Sequence, residues 1–287
     1  IIIRDGDPAL EDFELSNTET FIPGKKLEIK VGYGGDEKTI FKGIIIKHTI
    51  KIMASGNSRL ILECKDEAVK MTIGRKSAYY YESSDGDIIE SLIAKYGLSS
   101  EVASSSLTHP EMVQYNSSDW DFMITRAQAN GWLCYINDGK ITVTKPDFTS
   151  EEGITVAFGS TLLDFDAEID AREQFSKITS YGWDYSGQQL SQIEANDPSL
   201  PLNGNMTVAD LASAIGLENL ELRHGGAMPD IELQEWADAK MHFQQMAKVR
   251  GRAKIQGTHE VKTGSMLKLL GVGERFNGKV FVSGVRH

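Results

Sequence analysis

Strand patterns of period two, interrupted twice by capped amphipathic helices, predict a mixed β protein with α-helical insertions (α+β) for this 287-residue chain. Three observations carry that prediction. Apolar and polar residues alternate from Lys26 to Cys64, helical stripes with caps and stops fill parts of 85–131 and 207–250, and turn-separated strand patterns return near the end of the chain.

Taken in order, LEIKVGY, a turn at Gly34-Gly35-Asp36, TIFKGIIIKHTIKI, a turn at Ser55-Gly56-Asn57 and RLILEC read as a three-stranded antiparallel meander. Its parity puts Ile44, Ile46, His48, Ile50 and Ile52 on a buried face and Lys47, Thr49 and Lys51 on a wet one. A helix then opens at Asp85, carries Ile88, Ile89, Leu92, Ile93 and Tyr96 on one stripe and stops at Gly97. A second starts at the capping box Ser118-Asp119-Trp120-Asp121 and ends at Asn130-Gly131. Trp132–Ile136 and Ile141–Thr144 flank an Asn137-Asp138-Gly139 turn and form a hairpin. GITVAF, LLDFDAEID and KITSYGWDY make a second β segment, followed by a polar linker from Ser186 to Gly204 with Pro198 and Pro201. Thr207 and Asp210 cap a short helix; Pro229 opens a longer one that runs to about Arg250 and stops at Gly251. RAKIQG, SMLKLL and KVFVSGVR close the chain as strands, with turns at Thr263-Gly264 and Asn277-Gly278.

Composition excludes several classes. A net charge of −11 disfavours a duplex-binding protein, which needs a basic face. No run of about 18 apolar residues is present, and the start lacks the basic and apolar regions of a signal peptide, so cytoplasmic synthesis without a signal peptide and without a membrane-spanning segment is expected. Cys64 and Cys134, seventy positions apart, suit two reduced core thiols better than a disulfide or zinc framework. Beginning at Ile1-Ile2-Ile3 and ending at Arg286-His287 after an apolar run, the chain reads as part of a longer polypeptide.

Motifs that imitate reaction centres fail on spacing, so no catalytic, cofactor-binding or metal residue is assigned and no cofactor is expected. Asp164, Asp166, Glu168 and Asp170 alternate along one strand; neighbours there project in parallel about 6.5 to 7 Å apart, whereas Ca²⁺ ligands converge at about 2.3 to 2.6 Å. A solvated or channel-facing surface is the expectation. His48, on an apolar strand face, reads as a hydrogen-bonded core histidine. His259-Glu260 opens like a zincin motif, but Thr263 stands where the second histidine belongs. Lys262-Thr263-Gly264 and Ser265…Lys268 are consecutive on a turn and strand, where a Ser–Lys pair cannot share a face. His224-Gly225-Gly226 lacks a nucleophile elbow to serve, and Gly32, Gly34 and Gly35 fit a hairpin tip rather than a phosphate cradle. Trp120, Phe122, Met123, Ile124 and Trp132 read as core, with some expected to contact another chain.

Ser118–Trp132 (SDWDFMITRAQANGW) resembles the "DWDF…RAEANG" segment of Rhs-associated VgrG proteins and of the late-control and tail-hub proteins of contractile phages. Phe41–Ile45, Met71–Lys76 and Gly271–Gly278 are similar to further segments of that family, in the same order. The resemblance implies two tube-protein-like β-barrels with helical insertion domains: 1–84 the first barrel, 85–150 a helical insertion with a β-hairpin, 151–204 the first part of the second barrel, 205–250 a helical insertion, and 251–287 closing strands that lead to a downstream needle outside this chain. It also implies a homotrimer whose six barrels form a pseudo-sixfold ring joining a hexameric inner tube to a threefold spike in a type VI or extracellular contractile injection system. Baseplate proteins, a tip protein and effector cargo are the other implied partners.

Two other classes compete with this structural hub. A cell-wall hydrolase would use Asp164, Asp166 or Glu168 as acid and base, but an open acidic strand lacks the desolvation that raises a catalytic carboxyl pKa. A carbohydrate- or receptor-binding β module would display Tyr181, Trp183 and Tyr185, which share parity on one strand.

Overall fold

The structure is a computed structural model that describes residues 1–54, 56–201, 203–216 and 218–287; Ser55 of the expected Ser55-Gly56-Asn57 turn lies outside them. The N-terminal part is an antiparallel sheet of β1 (Ile2–Arg4), β2 (Lys26–Tyr33), β3 (Asp36–Lys51) and β4 (Arg59–Lys65), ordered β1-β4-β3-β2. Gly34 and Gly35 close the β2–β3 hairpin at φ of 62° and 88°. Both positive values are those of a type I′ turn, whose twist matches that of the strands. Along β3 the expected parity is corrected by a β-bulge: Ile45 pairs with Cys64 and Lys47 with Glu63, leaving Ile46 as the extra residue. Ile45, His48 and Ile50 therefore share the face of Cys64, Leu62 and Leu60, whereas Ile44 and Ile46 do not. Ile52 is 73% exposed because it lies past Lys51, the last paired residue. Ile45, Leu60 and Leu62 form the core of this sheet, with Ile3, Leu15 and Phe21 packed against it.

The next part holds a 3-10 turn at Glu67–Thr72, α1 (Asp85–Ala94), α2 (Asp119–Ala129) and five strands. The expected hairpin is β8 (Leu133–Asn137) with β9 (Lys140–Thr144), turned at Asp138-Gly139 with φ of 53° and 85°. Three strands were not legible in the sequence. β5 (Lys76–Ser84) and β7 (Thr108–Ser117) form a two-stranded ribbon, and β6 (Ser99–Val102) runs parallel to β9. Their sequences lack clean alternation, and Pro110 is tolerated in β7 because that strand pairs on one side only. Met71, Ile88, Ile89, Leu92, Ile93, Met123, Ile141 and Val143 make the largest core of the molecule.

The second β segment comprises β10 (Ile154–Ala157), β11 (Leu162–Ile169) and β12 (Lys177–Asp184); the expected linker from Ser186 to Gly204 is corrected by β13 (Gln189–Glu194), which pairs antiparallel with β12, and α3 (Val208–Ile215), β14 (Asn219–Arg223) and α4 (Asp230–Met246) follow. β15 (Val249–Ile255), β16 (Met266–Leu270) and β17 (Gly278–Phe281) follow. β10-β16-β17 and the β11–β15 ribbon curl around Val156, Leu162 and Leu269 in a barrel-like arrangement. β12 and β13 instead share a sheet with β14, also not read from the sequence, and carry α4 on one face. Full capping boxes form at Ser84/Asp87 and Thr207/Asp210; at α2 Ser118 accepts from the Asp121 amide.

The expected end of α4 is also corrected. The helix stops at Met246, and Gly251 lies inside β15 opposite Ala167. Glycine is required there by close approach: a Cβ would stand 2.7 Å from the Asp166 carbonyl oxygen and 2.8 Å from the Ala167 Cβ. Gly251→Val is expected to cost about 1 to 3 kcal/mol, while Gly153→Ala, whose added Cβ meets nothing nearer than 3.9 Å, leaves the midpoint of thermal unfolding nearly unchanged.

Candidate functional site

Both helices of the first insertion begin with the same local pattern, Ser84-Asp85-Gly86-Asp87 and Ser118-Asp119-Trp120-Asp121. In each, the serine is the N-cap, accepting from the backbone amide of the second aspartate, and the first aspartate turns its carboxylate into the protein. The helix dipole favours an anion at that position. Burial alone would push both carboxyls up; hydrogen bonds outweigh it and hold both below the usual carboxylate range.

Asp119 is fully buried. Its Oδ2 accepts from Lys76 Nζ at 2.7 Å and from the Tyr96 hydroxyl at 2.7 Å, and its Oδ1 accepts from Gln114 Nε2 at 2.9 Å. The Asp119 carboxylate in turn holds the Lys76 ammonium above its ordinary range. Asp85 accepts from Arg126 Nε at 2.6 Å and Nη2 at 2.9 Å, a bidentate pair, and from Asn130 Nδ2 at 2.7 Å. His109 Nε2 lies 3.2 Å from both Asp85 Oδ2 and Arg126 Nη2. Arg126 and Asn130 are four residues apart and so share one face of α2. That face also meets the second half of the chain: the Arg126 guanidinium is 3.9 Å from Glu232, and Gly131, at φ 69°, abuts Ala239, whose Cα would lie 3.1 Å from an added Cβ.

The polar positions of 118–132 thus form a clasp joining β5, β7, α1, α2 and α4. Each partner is held by others within the chain. The arrangement fixes relative orientation, and the apolar positions do the same: Phe122, Met123 and Trp132 are buried in the core, with the partly buried Trp120 and Ile124 packed against it.

The other sequence candidates are scattered. His48 Nδ1 donates to the Phe21 carbonyl at 2.9 Å and its Nε2 pairs with Ser16 Oγ at 2.7 Å, tying the 5–21 segment to β3. His259-Glu260 and Lys262-Thr263-Gly264 lie in the loop between β15 and β16, where Ser265 Oγ bonds the Lys262 carbonyl. His224-Gly225-Gly226 is an exposed turn closed by the Gly226 amide on His224 Nδ1 at 3.2 Å. Among the described residues no group of three or more His, Cys, Asp or Glu could hold a metal ion, and no helix is long and apolar enough to cross a membrane. Burial pushes the Cys134 thiol up to about 12, which keeps it protonated.

The acidic strand has a specific arrangement. Asp164, Asp166 and Glu168 on β11 stand directly opposite Lys254, Arg252 and Arg250 on β15. All six side chains are exposed, forming a charge ladder that opposes register slip; a shift of one residue would pair carboxylates with Ala253 and Gly251.

Sequence reasoning missed Asp85, His109, Lys76 and Gln114 as members of the clasp. The available signal was the repeated Ser-Asp-x-Asp and the Arg126/Asn130 spacing; the long-range partners on β5 and β7 carry none. Arg126→Met would leave Asp85 buried without its cation and is expected to destabilise by about 3 to 5 kcal/mol, with Asp85→Asn/Arg126→Met costing less than the sum of the single changes. Because the folded pKa values of Asp85 and Asp119 are lowered, their contribution is present above the ordinary carboxylate range and is lost as pH falls through the folded values. Denaturant titrations between about pH 5 and about pH 2 should show a steep loss for the parent chain and a shallower one for the Asp85→Asn/Arg126→Met pair.

Comparison with known proteins places this fold. The prophage MuSo2 43 kDa tail protein from Shewanella oneidensis aligns with a TM-score of 0.64 at 11% identity, covering 97% of this chain and 81% of that one. The tail protein from Neisseria meningitidis MC58 aligns with a TM-score of 0.62 at 12% identity, covering 92% and 83%. No curated protein sequence matches. The family profile described as Alg8 N-terminal domain matches residues 1–287. The chain therefore belongs to the Alg8 N-terminal domain family and has the fold of these tail proteins.

Proposed function

We propose that this chain is a non-enzymatic structural hub in the spike of a contractile injection system. Three copies would form a pseudo-sixfold ring between a hexameric inner tube and a threefold spike, with baseplate proteins, a downstream needle and tip protein, and effector cargo as further partners. The observation that carries the reading is the alignment with a prophage tail protein along nearly the whole chain. Local physics supports it. A hub transmits force through stiff elements, and the polar residues of α2 are spent on an internal clasp that locks the two halves together. Two curled sheets, β1–β4 and β10-β16-β17 with β11–β15, supply one barrel-like unit in each half. Among the described residues β2, and β11 beyond its Leu162–Phe158 bridge, pair on one side only, leaving backbone groups for a neighbouring chain.

A second reading, a carbohydrate- or receptor-binding face, is favoured by the outer side of β12. Trp183 (40% exposed) stands opposite the exposed Leu190, and Arg223 lies 5.2 Å over the Tyr181 ring. Native mass spectrometry over a range of concentrations separates the readings. A species of three chains that co-assembles with inner-tube protein is expected. A monomer at every concentration that binds glycans through Trp183 overturns the hub, as does peptidoglycan turnover abolished by Asp166→Asn.

A further inference from the structure

We propose that the cavity within the second barrel-like unit is a binding site for an amphipathic carboxylate, a molecule with an apolar body and one anionic head. The cavity has a volume of about 1120 Å³, comparable to a site for a small organic ligand. Val156, Phe165, Leu269, Phe276 and Val280 give it apolar walls. Lys248 and Asn203 supply its polar point.

Lys248 is only 5% exposed, and its ammonium donates to the carbonyls of Asn203 at 3.1 Å and Met206 at 2.9 Å. Neither acceptor carries charge. A buried cation is ordinarily matched by an anion, and an ammonium has three donors, so one is left for a ligand. Burial accordingly pushes the Lys248 pKa down. The Asn203 side-chain oxygen is also buried with no hydrogen-bond partner, and rotation of that amide would offer its NH₂ group to the same ligand. Among the described residues no Asp or Glu lines this cavity, and of its basic residues Lys248 is the buried one. Charge and wall chemistry therefore select the same occupant, with its carboxylate at Lys248 and its apolar body against β10, β16 and β17. That chemistry could come from a fatty acid or from the free end of an apolar peptide.

Isothermal titration of the purified chain with decanoate tests the assignment. Decanol, decyltrimethylammonium and an apolar hexapeptide with a free or amidated C-terminus serve as the comparison ligands. Saturable binding of decanoate or the free-acid peptide is expected, whichever is tighter identifying the source, with decanol and the amidated peptide at least tenfold weaker. Lys248→Met should weaken binding at least tenfold. Ala253→Trp, on the cavity face opposite Phe165, should block it while leaving Lys248 in place, so the test stands even if Lys248→Met does not fold. Absence of saturable binding by either carboxylate, equal binding of decyltrimethylammonium, or binding indifferent to Ala253→Trp overturns the proposal.

Discussion

The ionised carboxylate of Asp85, buried at the first position of α1, is the constraint on which the arrangement of the molecule turns. A charge removed from water must be met by fixed partners, and these come from two elements distant in sequence: Arg126 and Asn130 on α2, and His109 on β7. Because Arg126 also reaches Glu232, and the turn after α2 abuts α4, the same charge indirectly positions the second half of the chain. Asp119 repeats the device one helix later, drawing β5 in through Lys76. Such networks cost desolvation, and their return is orientation: the helices can be seated in only one way.

Elsewhere the chain solves related problems with exposed charges and backbone geometry. Among the described residues the β11–β15 ribbon has no third strand to set its pairing, and the ladder of three acidic and three basic residues makes one register electrostatically distinct. Gly251 reinforces this choice, since a side chain at its position would collide with the facing strand. In β3 a bulge at Ile46 changes which residues face the core without ending the strand, so one 16-residue strand serves both the Gly34-Gly35 hairpin and the pairing with β4.

These features bear on function because a fold shared with tail proteins does not by itself assign a role. Assembly in a spike asks for rigid units, a fixed angle between them and strand edges open to neighbours. The clasp meets the second requirement and the one-sided pairing of β2 and β11 the third. The apolar cavity beside Lys248 shares β15 with the charge ladder but takes no part in the clasp.

Local periodicity, caps and turn chemistry were sufficient to determine the α+β class, the first hairpin with its Gly34-Gly35 turn, the Asp138-Gly139 hairpin, the starts of α1 and α2, and the alternation of β11. Each depends on residues a few positions apart, so neighbouring side chains carry the signal. Tertiary structure alone decided the rest. β5, β6, β7 and β14 owe their strand form to partners far along the chain, and α4 gives way at Met246 because β15 is claimed by pairing with β11. The face of β3 was settled by a bulge that leaves no trace in composition. Asp85, too, reads in sequence as an ordinary helix start; that its charge is buried, and which groups answer it, follows only when strands and helices from both halves enclose it.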